Sequence, residues 1–272
     1  MMNFRNILIT GGSSGIGLDL AKAYVKQGAN VMLLARNQSR LEDAVTACKA
    51  LCLSADQKVM AFSVDVSDGE AFNHSVNAIK DQIGTLDLII LSAGIVQSVK
   101  FMEQSEQDFN DIMYTNVAGS RIVAKAFLPD MITQGKGQVC FVSSLGGLIA
   151  TYGYSAYSAS KFAVIGMAGA LRQELYSSGI GVSVLCPPEV DTPMVAKEAS
   201  HILPETRFVK DIGGLLNTVT VTKAAIKGIN KNKFIIVPGF KGKASYLLAR
   251  YIPNTFGWAI QKLIGLTGRF IK

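Results

Sequence analysis

Short apolar runs recur along the chain, separated by longer stretches in which apolar residues return with helical spacing. Seven such runs lie at 6–10, 30–34, 58–64, 86–91, 139–142, 181–186 and 234–237. Uninterrupted apolar runs of this length are typical of strands buried on both faces, and strands that alternate with helices are typical of parallel sheets. The pattern predicts an α/β fold: a single doubly wound domain with a seven-stranded, mainly parallel sheet and helices on both faces.

The first predicted strand runs into a glycine-rich turn, GGSSGIG, which opens a predicted helix over 16–27. Glycines at 11, 15 and 17 let the backbone bend tightly and approach a phosphate, and the free N–H groups at a helix start favour an anion. An ordinary strand-to-helix turn could carry the same residues. The turn alone therefore indicates a nucleotide site only weakly.

The second predicted strand ends in an arginine, Arg36, and Arg40 follows one helical turn later. In dinucleotide-binding folds an acid at this place binds the ribose 2′-hydroxyl, whereas an arginine can pair with a 2′-phosphate. The sequence therefore predicts NADPH/NADP+ rather than NADH as cofactor. The alternative is that Arg36 is an ordinary solvated side chain.

Tyr157 and Lys161 are four residues apart at the start of a predicted helix, so their side chains share one face. A free tyrosine has a pKa of about 10, and a fixed cation beside it would lower that pKa and make the phenol a usable general acid or base. Ser144 ends the preceding strand, where its hydroxyl could hold a carbonyl oxygen. The neighbouring Ser143 leaves the serine assignment open by one residue.

These motifs occur together and in order, and from about residue 5 to 240 the chain resembles the short-chain dehydrogenase/reductase family. Thr10 opens the pattern TGxxxGxG, and Ser144, Tyr157 and Lys161 have the family's spacing. The resemblance implies a Rossmann-type domain over 1–240 with a substrate lid over 194–222, and a homodimer or homotetramer. It also implies a catalytic tetrad of Asn116, Ser144, Tyr157 and Lys161.

The same resemblance assigns cofactor contacts to residues of turns, strand ends and loops. They are Gly11, Ser13, Ser14, Gly15, Ile16, Arg36, Arg40, Asp65, Val66, Ala93, Gly94, Tyr157, Lys161, Pro187, Val190 and Thr192. One departure from the family pattern is Ser92, which stands where an asparagine is usual. Asp65 could instead cap the next helix, although Asp68 is the better cap candidate.

Within the family the chain is similar to the 3-ketodihydrosphingosine (3-ketosphinganine) reductases. The similarity lies in ITGGSSGIG from residue 9, AYSASKFA from 156, PPEVDTP from 187 and LPETR from 203. It implies the NADPH-dependent reduction of a long-chain 3-ketosphinganine to sphinganine. Two alternatives stay open: reduction of another lipophilic ketone, such as a 3-oxoacyl thioester or a steroid, and a non-catalytic NADP(H)-sensing protein at a membrane surface.

Charge separates the end of the chain from the rest. The chain has 27 basic and 20 acidic residues, yet no acid follows Asp211 while ten basic residues do. Residues 241–272 read as a basic amphipathic extension containing Trp258, which is typical of a membrane surface. The alternatives are packing on the protein itself or on a partner copy. A nucleic-acid partner is not expected, because no recognition motif is present.

The remaining composition predicts a cytoplasmic protein that associates peripherally with the cytosolic face of a membrane. We expect no signal peptide and no simple spanning helix, since neither pattern is found in the sequence. Four cysteines without regular spacing indicate reduced thiols. With His74 and His201 as the two histidines, Cys48 and Cys52 lack partner ligands, so no metal site and no Ser/His/Asp triad are expected.

Overall fold

The computed structural model describes the backbone of residues 4–270 and the side chains of residues 4–265. Its strands are β1 Asn6–Thr10, β2 Asn30–Ala35, β3 Val59–Ser63, β4 Leu88–Leu91, β5 Gly137–Val142, β6 Ile180–Leu185, β7 Glu189–Val190, β8 Leu215–Leu216 and β9 Ile235–Ile236. Its α-helices are α1 Gly15–Val25, α2 Gln38–Lys49, α3 Gly69–Ile83, α4 Glu106–Met113, α5 Gly119–Gln134, α6 Ser155–Glu174, α7 Pro193–Glu198, α8 Pro204–Gly213, α9 Thr218–Ile229, α10 Phe240–Tyr251 and α11 Pro253–Phe270.

The main sheet has seven strands in the order β3-β2-β1-β4-β5-β6-β9, and every neighbouring pair is parallel. The chain moves outward from β1 to β3, crosses back to β4, and then moves outward on the other side. In open parallel sheets, ligands bind in the crevice that forms where the strand order reverses. The predicted seven-stranded parallel sheet is confirmed, and the crevice lies beyond the ends of β1 and β4.

Apolar side chains of successive strand residues alternate between two buried clusters, one on each face of the sheet. Leu8 of β1 belongs to the cluster that contains residues of α3, α5 and α6, and its neighbour Ile9 belongs to the cluster of α1, α2 and α9. Strands buried on both sides have no polar face, which explains why they appear as uninterrupted apolar runs. The prediction of helices on both faces is confirmed.

Capping side chains set several helix boundaries. Asp68 accepts a hydrogen bond from the Ala71 N–H and begins α3, as its sequence position predicted. The helical spacing of acidic and apolar residues over 101–114 favours a surface helix, and α4 occupies residues 106–113 of that stretch. Ser105 caps α4 by accepting from the Asp108 N–H, so a short 3₁₀ turn, Phe101–Glu103, is separated from α4.

The end of the chain is helical and packs on the segment predicted as a lid. Helices α10 and α11 contact each other, and both contact α8. The predicted extension over 241–272 starts one residue inside α10, while Lys272 and the side chain of Arg269 lie outside the described residues. No helix in the described part of the chain combines the length and apolarity needed to cross a bilayer.

Candidate active site

A crevice opens at the ends of β1 and β4 and continues beneath α7, α8 and α11. Twelve of the residues predicted from the sequence line it: Gly11, Ser14, Gly15, Ile16, Ala93, Gly94, Ser144, Tyr157, Lys161, Pro187, Val190 and Thr192. The other predicted residues do not line it. They are Ser13, Arg36, Arg40, Asp65, Val66 and Asn116.

Tyr157 and Lys161 lie on one face of α6, as their spacing predicted. The Lys161 ammonium is 5.6 Å from the centroid of the Tyr157 ring, and it donates a hydrogen bond to the Val142 carbonyl at 3.1 Å. Lys161 is only 6% exposed. Because burial disfavours the charged form, the pKa of Lys161 falls from its usual 10.5 to about 8.

The pKa of the Tyr157 phenol is raised, whereas the sequence predicted that it would be lowered. Burial raises its pKa to about 12, a hydrogen bond with Ser144 opposes that rise, and the negative charge of Glu198 adds to it. The expected lowering by Lys161 is not found: Lys161 is not among the groups that set this pKa, and its ammonium is directed to the Val142 carbonyl. Tyr157 therefore holds its proton throughout the neutral range.

The two adjacent serines have different surroundings. Ser143 is buried and donates its hydroxyl to the Lys161 carbonyl at 2.9 Å, which secures α6 to the end of β5. Ser144 accepts a hydrogen bond from the Gly146 N–H at 3.0 Å, and its hydroxyl hydrogen-bonds with the Tyr157 side chain. The geometry favours Ser144 over Ser143 as the hydroxyl that faces a ligand beside Tyr157.

Asn116 lies behind the crevice wall, in the π-helical turn Tyr114–Ala118. Its side-chain amide donates to the Ile95 carbonyl at 3.0 Å and to the Ser160 hydroxyl at 2.9 Å, and its oxygen accepts from the Ile95 N–H at 2.8 Å. A Cβ on Gly94 would lie 3.0 Å from that oxygen and 3.4 Å from the Lys161 Nζ. Asn116 therefore joins the loop after β4 to α6, close to Lys161.

The glycine turn is shaped by close backbone approaches. Gly11 has a φ of +65°, and a Cβ there would lie 3.0 Å from backbone atoms of Ala93, while a Cβ on Gly17 would overlap the Gly11 carbonyl oxygen. The Thr10 hydroxyl accepts from the N–H groups of Ser92 and Ala93, both at 3.0 Å. The loop after β4 is thus held through its backbone, which accommodates the departure from the family pattern at Ser92.

The arginine predicted to select the cofactor lies at the ends of β2 and β3, away from Tyr157. Arg36 is 64% exposed and forms an ion pair with Asp65 at 3.4 Å. Burial opposes ionisation of Asp65, but hydrogen bonds from Ser67 and the charge of Arg36 outweigh it and hold its pKa below the usual range. The exposed Arg40 follows in α2, where its N–H donates to the Asn37 cap.

Several residues that line the crevice were not predicted from the sequence. They are Tyr154, Glu189, Glu198, Lys210, Phe256 and Ile260. Tyr154 had a detectable signal, because it lies three residues before Tyr157 at the N-cap of α6, and the two ring centroids are 5.1 Å apart. Lys210 of α8 and Ile260 of α11 had none, since they approach the site only through packing of α8 against the final helices.

A buried ionic cluster joins these elements. Glu189, with a side chain 1% exposed, pairs with Arg207 through both oxygens and with Lys210 at 2.8 Å. Glu198, 5% exposed, accepts from Lys210 at 2.7 Å and from the Tyr154 hydroxyl. Burial opposes ionisation of Glu189, yet the two cations hold its pKa below the usual range. We call these five residues the lid cluster.

Comparison with known proteins agrees with this geometry. The family model described as short chain dehydrogenase matches residues 5–202. This chain belongs to the short chain dehydrogenase family. The expected resemblance is confirmed, and with it the assignment to a family of oxidoreductases.

Individual relatives show which members of the family this chain is similar to. The chain is 37% identical to a 3-dehydrosphinganine reductase of Arabidopsis thaliana over 89% of this chain and 72% of that protein. It is 34% identical to the 3-ketodihydrosphingosine reductase of Mus musculus over 84% of this chain and 69% of that protein. A solved structure of an actinorhodin polyketide ketoreductase with NADPH superimposes with a TM-score of 0.77 at 25% identity, over 86% of this chain and 95% of that one.

The structure also shows the state of the four cysteines and the arrangement of candidate metal ligands. All four cysteines are free thiols, with Cys48, Cys140 and Cys186 buried and Cys52 partly buried. Within the residues that the structure describes, no group of three or more histidine, cysteine or acidic side chains is arranged to hold a metal ion.

Proposed function

We propose that the protein catalyses the NADPH-dependent reduction of a long-chain 3-ketosphinganine to sphinganine. The observation that carries the proposal is the convergence of Ser144, Tyr157 and Lys161 on one crevice whose outer part is apolar. The names of the relatives from Arabidopsis thaliana and Mus musculus support the same substrate.

The residues present fit a dinucleotide phosphate. Ser14 begins α1 without a side-chain cap, which leaves the first N–H groups of α1 for an anionic acceptor, and the space beside Gly11 and Gly15 would be filled by larger residues. Arg36 and Arg40 would hold the 2′-phosphate, Asp65 and Val66 the adenine, and Lys161 the nicotinamide ribose. NADPH supplies the hydride that the protein's own side chains lack.

Three side chains manage the substrate carbonyl in this proposal. Ser144 donates a hydrogen bond to the carbonyl oxygen and positions it, and Tyr157 delivers the proton that the oxygen needs as it becomes an alcohol. A pKa near 12 keeps Tyr157 protonated and therefore able to donate at neutral pH. Lys161 adds positive charge beside the phenol, while Asn116 supports proton relay through the lysine by ordering the loop at Ile95.

The outer crevice suits an alkyl chain. Beyond Tyr157 its walls carry aliphatic and aromatic side chains contributed by five segments of the chain: Ile95, Val96, Leu145, Ile149, Met194, Val195, Val209, Ile212, Phe256 and Ile260. Each buried methylene group contributes about 0.8 kcal/mol of transfer free energy. A long saturated chain can therefore supply much of the binding free energy in such a crevice.

The direct test is NADPH oxidation by the purified protein with 3-ketosphinganine in mixed micelles, with a 3-oxoacyl thioester and a steroid ketone as competitors. We expect turnover of the sphingoid ketone and its loss in Tyr157→Phe. Reduction of the thioester or steroid without turnover of 3-ketosphinganine would keep the chemistry and reject the substrate. NADPH binding with no turnover of any ketone would favour the non-catalytic alternative.

We also propose that residues 241–272 form an extension to the 1–240 reductase domain that associates with a membrane surface. Its exposed apolar side chains include Leu247, Leu248 and Tyr251 of α10, and Trp258 is 60% exposed on α11. Exposed basic residues accompany them at 241, 243, 250 and 262. Aromatic and aliphatic groups combined with basic ones suit the interface of an anionic bilayer, such as the cytosolic face of a membrane.

The chain's one tryptophan makes this proposal measurable, because Trp258 lies on the proposed surface. We expect its fluorescence to shift to the blue with vesicles containing anionic lipid, less with neutral vesicles, and not with duplex DNA. A response to DNA instead of vesicles would support the nucleic-acid alternative. Light scattering after gel filtration would test the predicted homodimer or homotetramer. If Trp258 becomes less exposed when the protein self-associates, packing of this extension on a partner copy would be favoured.

A further inference from the structure

The charged side chains on the substrate side of the crevice lie together at one place. Among the described residues that line the crevice, four side chains are charged: Lys161 beside Tyr157, and Glu189, Glu198 and Lys210 of the lid cluster. Burying carboxylates in an apolar wall is costly unless they are paired. Alkyl-chain binding does not need them, so their presence in this wall calls for another explanation.

The two carboxylates of the lid cluster are not equally neutralised. Glu189 has two cationic partners, Arg207 on both oxygens and Lys210. Glu198 shares Lys210 and otherwise accepts from the neutral hydroxyl of Tyr154. A carboxylate has about four acceptor sites. Glu198 therefore retains both unused acceptor capacity and the less compensated charge.

Glu198 is also the carboxylate that reaches the reaction site. Its bonded partner Tyr154 stacks edge-on against Tyr157 with ring centroids 5.1 Å apart. Burial is the largest cause of the raised pKa of both tyrosines; the charge of Glu198 adds to the rise at Tyr157 and at Tyr154, whereas the charge of Glu189 adds to it at Tyr154 alone. Glu198 thus lies about one side chain from the proposed proton donor, on the substrate side.

We propose that Glu198 forms a subsite for a protonated primary amine carried on the carbon next to the substrate's carbonyl. The proposal rests on the proposed function and deepens it, since 3-ketosphinganine has such an amine and a 3-oxoacyl thioester or a steroid ketone does not. The Lys210 ammonium, held between Glu189 and Glu198 at 2.8 and 2.7 Å, demonstrates that the cluster accommodates a primary ammonium. Glu198 is a specificity-determining residue in this proposal.

The test compares two substrates in two matched variants. For each enzyme, kcat/KM is measured with 3-ketosphinganine and with the same long-chain hydroxyketone lacking the amine, and their ratio is taken. Glu198→Gln should lower the ratio by roughly 10- to 100-fold, the value of a charge-assisted hydrogen bond. Glu189→Gln, which removes a carboxylate from the same cluster, should leave the ratio near that of the wild type.

The ratio separates specificity from folding, because a loss of folded enzyme lowers both kcat/KM values equally. An unchanged ratio in Glu198→Gln would overturn the subsite while leaving the proposed function standing. An equal fall of the ratio in both variants would overturn the assignment to Glu198. A wild-type enzyme that reduces the hydroxyketone lacking the amine but not 3-ketosphinganine would reject the proposed function and the subsite together.

The wild-type enzyme offers an independent test that needs no variant. An α-amino group loses its proton at about pH 7.7–8.0. The ratio should therefore fall several-fold between pH 7 and pH 9, as the ammonium becomes neutral. The titratable and charged groups that face Glu198 are Tyr154, Tyr157, Lys210 and the nearby Lys161, and the part of their effect that is common to both substrates cancels in the ratio. A ratio that does not change with pH would contradict the proposal.

Discussion

The two halves of the crevice are built by different means. The half proposed for the cofactor consists largely of backbone and small residues, such as Gly11, Ala93 and Gly94, whose spacing is set by close contacts. The half proposed for the substrate consists of large side chains from α7, α8 and α11 together with the lid cluster. Backbone geometry is specified by short motifs, whereas side chains from distant segments meet only through packing.

Because of this difference in construction, the two halves of the crevice tolerate amino-acid substitution to different degrees. A turn that depends on absent side chains tolerates little substitution, because a Cβ on Gly11 or Gly17 would lie within 3.0 Å of backbone atoms. A wall of apolar side chains can be remodelled by volume-conserving changes at modest cost in free energy. We therefore expect substitutions in the first half to affect binding of every substrate, and those in the second half to select among substrates.

The largest expected effect lies where the halves meet. Tyr157→Phe removes the proposed proton donor and should lower kcat by about 10²- to 10⁴-fold, with little change in melting temperature. Tyr154→Phe, one ring away, is the matched control and should lower kcat far less. Steady-state NADPH oxidation measures both variants. Equal losses in the two variants would remove Tyr157 from the proposed role.

Lys161 is expected to lower the stability of the fold. Its pKa is about 8 in the folded state against a usual 10.5, so below pH 8 the buried charge destabilises the native state by roughly 3 kcal/mol. Lys161→Met should abolish activity yet raise the free energy of unfolding at pH 7 by about 1–3 kcal/mol. The gain should fade between pH 8 and pH 10.5, as the native and then the unfolded lysine loses its proton.

Denaturant unfolding at several pH values measures this effect. Lys223→Met is the control, because that exposed lysine lies on the surface of α9. A destabilised Lys161→Met protein at pH 7 would mean that the hydrogen bond to the Val142 carbonyl outweighs the cost of burying the charge.

The glycine turn should be intolerant of a single methyl group. Gly17→Ala places a Cβ against the Gly11 carbonyl, so we expect a loss of about 1–3 kcal/mol in stability and weaker binding of NADP+. Gly166→Ala is the matched control on α6, where a Cβ meets nothing within 4 Å, and it should gain up to about 1 kcal/mol. Thermal melts with and without NADP+ compare the two. Similar melts for both variants would argue against the close approach.

Arg36 lies at the outer edge of the half proposed for the cofactor, and its substitution tests whether it recognises the 2′-phosphate. Arg36→Ser should lower kcat/KM for NADPH by roughly 10-fold, because a charge-assisted contact to the 2′-phosphate is lost and Asp65 is left unpaired. The value for NADH should change little. Arg121→Ser, an exposed arginine on α5, is the control. A parallel loss with both cofactors would show that Arg36 does not read the 2′-phosphate.

The smallest expected effect lies in the substrate half. Ile260→Ala trims the crevice wall and should lower kcat/KM for a long-chain ketone by roughly three- to tenfold, with less effect on a short-chain ketone. Leu263→Ala alters a residue of the same helix that is 39% exposed and does not line the crevice. Equal sensitivity to chain length in both variants would indicate that α11 does not contact the chain.

The sequence alone predicted the sheet and the main pair of side chains in the crevice, because both depend on local patterns of residues. Strands buried on both faces must be apolar throughout, so the seven-stranded parallel sheet was visible, and helical spacing placed Tyr157 beside Lys161 on one face of α6. The direction of the Tyr157 pKa shift was not foreseen, because desolvation depends on what covers the side chain. The break between the 3₁₀ turn Phe101–Glu103 and α4 was not foreseen either, since the cap at Ser105 competes with helical spacing.

The tertiary structure alone decided which side chains line the half of the crevice proposed for the substrate. Glu189, Glu198 and Lys210 come from three separate segments, and α11 joins them only because it packs on α8. No spacing rule connects such residues, as their proximity results from how helices cover one another over the sheet. The sequence by itself determined the fold, the family and the pairing of Tyr157 with Lys161, because these depend on short motifs and periodicity, while the shape and charge of the half proposed for the substrate depend on long-range packing.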